Sequence, residues 1–111
     1  MPLYELIQER FKVRTRTVVN PLRASIGTTA LLLLANNPNR LGWTIVNTHA
    51  TQILYISLQN DVSAAKSIWL AAAGGFASEI WDEDFEEVGW AVWGIASGDA
   101  TTFYAKEVVE Y

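Results

Sequence analysis

Cysteine is absent from the 111 residues, which removes disulfides, thiolate nucleophiles and thiolate metal sites together and leaves the redox compartment undecided. Histidine occurs once, at His49; with no second histidine or cysteine to share a metal, and no marked nucleophile beside it, it reads as an exposed loop residue. Uninterrupted apolar runs go no further than that of Ala30 to Ala35, far short of the roughly 20 residues that span a bilayer. The opening Met-Pro-Leu-Tyr-Glu lacks the pattern of a signal peptide. No membrane insertion is therefore expected. Gly74-Gly75 is followed by no lysine or Ser/Thr at phosphate-loop spacing, so it reads as a turn. No catalytic, metal or cofactor constellation emerges, and the expectation is a protein that is not an enzyme and holds no cofactor.

What the chain does have is apolar surface. Half of its residues are hydrophobic and five are tryptophan, enough to build one folded domain without metal or disulfide staples. The net charge of −4 is unevenly spread. Six of the eight basic residues fall in the first 40 positions and ten of the twelve acids from Asp61 onward, a polarity that pairs internally or between subunits arranged head to tail. Internal pairing needs no partner and is the first expectation.

Leu3, Leu6, Ile7 and Phe11 recur near helical spacing after Pro2, giving a short N-terminal helix or arm over 1–11. A helix of about ten residues is marginal alone and must dock its stripe. From Lys12 the period changes to two, with Lys12, Arg14 and Arg16 on a wet basic face. Ser25 to Thr29 reads as loop or irregular edge, and Thr29 to Ala35 as a strand buried on both faces or a turn of helix, with strand favoured because Asn36-Asn37-Pro38-Asn39 ends it so soon. Leu41 to Leu58 reads as two strands joined by the polar Thr48-His49-Ala50-Thr51, a central hairpin. Short strands follow around Ile68 to Leu70, from Phe76 to Trp81, from Val88 to Ala96 and from Thr101 to Val109. The rhythm predicts an all-β domain over 12–111, an antiparallel β-sandwich or jelly-roll-like barrel of about eight strands, with the N-terminal helix its one helical segment.

Asp82 to Glu87 holds five acids in six residues. It reads as a solvated loop; calcium is the sharper alternative, although the order of an EF-hand loop is missing. Among the tryptophans, Trp43, Trp69 and Trp90 are expected in the core, and Trp81 and Trp93 at a protein interface or, beside Asp82 and Glu83, on a sugar platform. Leu3, Leu6, Ile7, Phe11, Trp81 and Trp93 are the candidate interface. A nucleic-acid backbone on Lys12, Arg14 and Arg16 is disfavoured in a chain of pI near 4.8.

Over about residues 39–110 the chain resembles small virus-encoded all-β virion proteins of bacteriophages and archaeal viruses. The resemblance lies in Arg40 to Asn47 as Arg-x-x-x-x-Ile-x-Asn, in Ile53-Leu54-Tyr55-Ile56, in Leu70 to Gly75 and in Val92-Trp93-Gly94-Ile95-Ala96-Ser97. It departs at Ser57, where glycine is usual, and at the acidic insertion. The resemblance implies a capsid, decoration or spike-associated component, made in the host cytoplasm and located in the virion, that assembles with copies of itself and possibly with a larger shell protein. Two other classes stay open beside it. A carbohydrate-binding module would use the exposed tryptophan, and a small viral nucleic-acid-binding regulatory protein would use the basic face.

Overall fold

Alternating apolar residues build nine strands: β1 (Thr15–Val19), β2 (Ser25–Ile26), β3 (Leu31–Leu34), β4 (Arg40–Asn47), β5 (Leu54–Ser57), β6 (Ile68–Leu70), β7 (Phe76–Ile80), β8 (Val92–Ala96) and β9 (Thr101–Glu110). The structure, a computed structural model, describes residues 1–110. One sheet has the order β1-β9-β4-β7 with the two-residue β2 also on β9; the other has the order β3-β8-β5-β6. Every pairing is antiparallel, as the strand spacing predicts. First pairs with last: β1 with β9, β3 with β8, β4 with β7 and β5 with β6. The two halves of the chain thus form one long antiparallel ribbon, wound so that β4 also lies along β9 and β5 along β8.

The core lies between the sheets. Trp43, Ile45, Phe103 and Ala105 enter from one side and Leu33, Leu54, Ile56, Leu70 and Val92 from the other, and each large side chain contributes on the order of 1.5–3 kcal/mol. Gly94 leaves room for the Leu33 side chain, since a Cβ there would meet Leu33 Cδ1 at 2.7 Å.

The winding overturns the central hairpin. Residues 41–47 and 54–58 do not pair, because β4 and β5 belong to different sheets and the polar segment between them crosses the sandwich. The reason is at Asn47, which is fully buried. Its Nδ2 donates to the carbonyls of Gln52 (2.8 Å) and Leu70 (2.9 Å), and its Oδ1 accepts from the His49 amide (3.0 Å). Burial of this satisfied amide fixes the crossing. His49 itself is half-buried, and its Nδ1 accepts the amides of Thr51 and Gln52, so it shapes the crossing rather than standing free in solvent.

A helix α1 (Leu3–Phe11) precedes β1 and ends on Lys12, whose left-handed backbone lets its amide reach the Gln8 carbonyl. None of its residues is buried. The acidic run is not an open loop. Trp81–Asp84 forms a helical turn, α2, and Phe85–Gly89 a 3-10 turn, so α1 is not the sole helical segment. Two corrections concern tryptophan. Trp69 is 60% exposed on the short edge strand β6, its ring edge-on to Tyr55, because the neighbouring Leu70 takes the inward position; Trp90, 49% exposed, precedes β8. Only Trp43 of the expected three is in the core.

Candidate interaction site

Both ends of β4 are pinned by a buried polar side chain, and the Arg40 end carries the surface of interest. Arg40 and Asn47 differ in parity, yet both point inward, because a bulge between Arg40 and Gly42 shifts the register against β9. Arg40 Nε donates to Glu107 Oε2 at 2.6 Å, and Nη1 donates to the carbonyls of Trp90 (3.0 Å) and Val88 (3.3 Å). Nη2 donates to the Ala35 carbonyl. One guanidinium therefore ties β4 and β9 of the first sheet to the end of β3 and the approach to β8 in the second. This is internal charge pairing, as the asymmetry suggests. A second pair, Lys66–Asp61, lies exposed on the surface.

Beside that clamp lies a row of three clefts. The first, of about 360 Å³, is bordered by Lys12, Arg14 and Glu110. The second, of about 500 Å³, runs between α1 and the outer face of the first sheet, against Ile7, Phe11, Leu41, Ile80 and Trp81. The third, of about 650 Å³, is bordered by Trp81, Phe85, Trp90, Leu41 and Glu86. Shared walls order them: Val13 and Glu110 join the first to the second, Leu41 and Trp81 the second to the third. The surface is thus basic at one end, apolar in the middle and acidic at the other.

Of the six candidate interface residues, this surface gathers Ile7, Phe11 and Trp81. Leu3 and Leu6 lie exposed on the same helix. Trp93 is not brought to them; it is half-buried in the other sheet, opposite Leu32 and Ser57. The basic strand face is not formed either, since β1 starts only at Thr15 and Lys12 caps α1. Sequence reasoning missed Phe85. Its φ of 61° and ψ of −142° hold a phenylalanine where glycine is at ease, while the ring is 76% exposed.

Behind α2, the carboxylates of Glu79, Asp84 and Glu87 come within 4.8 Å of one another. Burial first, then a hydrogen bond with Glu87 and the charges of Glu87 and Asp84, pushes the Glu79 carboxyl up to about 8. Oxygen clusters of this kind suit a hard cation, but Asp84 Oδ2 already accepts the Ile80 amide at 2.8 Å. At neutral pH a proton between Glu79 and Glu87 relieves the repulsion without an ion.

No protein-family model matches the chain, and none of the curated proteins matches it in sequence. Among solved structures it is similar to the coat protein of Tobacco streak virus, at 7% identity over 87% of this chain and 86% of that one, with a TM-score of 0.44. A likeness this slight decides nothing about function.

Proposed function

We propose that this chain is a non-enzymatic structural protein of a virion, a capsid, decoration or spike-associated component that works by self-association, alone or on a larger shell protein. The observation that carries the reading is the strand order. Two antiparallel layers, β1-β9-β4-β7 with β2 also on β9 over β3-β8-β5-β6, wound from one ribbon, support a jelly-roll reading, an architecture used by viral capsid domains. The motif ends that resemble virion proteins, Arg40 and Asn47, spend their polar atoms on holding the sandwich together. The apolar surface at α1, Trp81 and Phe85 is left for a partner. Size-exclusion chromatography with light scattering tests this on the full chain and on a chain starting at Lys12. An oligomer that loses mass or stability without α1 is expected, and a strict monomer at tens of micromolar would overturn the reading.

Jelly rolls also serve lectins, and the third cleft places Trp81 and Trp90 near Glu86, which favours carbohydrate binding as a second reading. Glycan-array binding abolished by Trp81→Ala would select it.

A further inference from the structure

We infer that the row of clefts at the Arg40 end is a two-fold interface between two copies of this chain. This rests on the self-association just proposed and specifies its geometry. A strip that is basic at one end and acidic at the other, with an apolar middle, is complementary to itself when turned through 180°. In such a pair Lys12 and Arg14 of each copy face Asp82, Glu83 and Glu86 of the other, while Phe11, Ile80 and Trp81 close over the centre.

Charge is what commits the strip to a second copy. Lys12, Arg14, Asp82, Glu83 and Glu86 are all exposed, and none has an ion-pair partner within the described residues. Each sign lies on the border of a cleft continuous with the apolar middle. An acidic partner would leave Asp82 to Glu87 opposed by like charge, and a basic one would leave Lys12 and Arg14 so; only a surface carrying both signs in reverse order satisfies both ends. Phe85 points the same way. It stands in the acidic border at a backbone conformation that disfavours it, with its ring in solvent, an arrangement the isolated chain does not repay.

The test is a charge exchange read by light scattering and analytical ultracentrifugation at low salt, with each variant's melt recorded to confirm folding. Lys12→Glu with Arg14→Glu makes both ends acidic, and Asp82→Lys with Glu83→Lys and Glu86→Lys makes both ends basic. Each variant alone should show a Kd raised at least tenfold, and an equimolar mixture of the two should return to the dimer mass. Phe85→Gly supplies a route in which misfolding is no concern: it should melt higher than the parent chain and dimerise at least several-fold more weakly. An oligomer indifferent to both reversals, or reversals that mixing fails to rescue, would overturn the two-fold strip while sparing self-association. A parent chain monomeric at 50 micromolar, or one that is captured only by a different molecule, would overturn both.

Discussion

Removing the Arg40 guanidinium tests the structural account most severely. Arg40 and Glu107 side chains are 1% and 10% exposed, so Arg40→Met leaves a buried carboxylate with no cation and takes the donor from the carbonyls of Ala35, Val88 and Trp90. Breaking a buried pair from one side costs about 3–5 kcal/mol. Total stability for a domain of this kind is roughly 5–15 kcal/mol, so the variant keeps a fold with little margin. At about 4 °C per kcal/mol for this chain length, the melting temperature should fall by roughly 12–20 °C. Urea titration gives the same quantity as a shift of midpoint at unchanged slope. The companion variant Arg40→Met with Glu107→Leu removes the stranded charge, and it should recover at least about 2 kcal/mol of the loss, because paired apolar replacements are often neutral. A loss below about 1 kcal/mol for Arg40→Met, or a double variant no better than the single one, would refute the claim that this pair clamps the two sheets.

Glu79 gives a pH signature with a definite sign. Its folded value of about 8 lies above the ordinary 4.5, so between those values the folded chain holds a proton that the unfolded chain has released, and stability falls as pH rises through the window. With the group partly exposed and screened, the loss is on the order of 1 kcal/mol; Glu79→Gln should flatten the curve, and an unchanged slope would contradict the cluster's geometry. Millimolar calcium should leave the melting temperature of the parent chain unchanged at pH 7, whereas a rise abolished by Asp84→Asn would assign an ion to the cluster. Gly75→Ala should be strongly destabilising, because a Cβ there would stand 2.3 Å from the Ala71 amide nitrogen, and a melting point within a degree of the parent's would refute so tight a turn. Gly94→Ala should cost about 1–3 kcal/mol by overpacking, and less when combined with Leu33→Val, a non-additivity measurable in a double-mutant cycle.

Much of the architecture was legible from alternation alone. Leu54 and Ile56, or Thr101, Phe103, Ala105 and Val109, declare their buried faces by parity, and the structure buries them. Partnership was not legible, because a period of two tells which way a side chain faces and nothing about which strand lies beside it. That is why residues 41–58 suggest a hairpin, and why Asn47, whose reach decides the crossing, looks like an ordinary strand end. The Arg40–Glu107 clamp left half a signal: Glu107 shares the parity of the buried row in β9, and a carboxylate so placed demands a cation. The bulge before Gly42 hides that cation by moving Arg40 off its expected parity. Trp69 and Trp90 mislead because indole size suggests burial, although the register leaves them outside the sandwich. At the candidate surface Ile7, Phe11 and Trp81 were found from spacing and sequence neighbours, while Phe85 needed the backbone angle to stand out.

The order in which the chain is made gives the winding a further consequence. β9 lies between β1 and β4 and is made after the other eight strands, with Thr15 waiting for Glu110 across some ninety residues of chain. Until β9 arrives, β4 has an unfilled edge and the inner faces of β1 and β4 have no common neighbour. Such distant closure slows folding, and an open apolar edge invites pairing with another nascent chain. Translation arrested before Thr101 should therefore yield a sticky, protease-sensitive chain, and the step from that state to a resistant one should coincide with the release of β9.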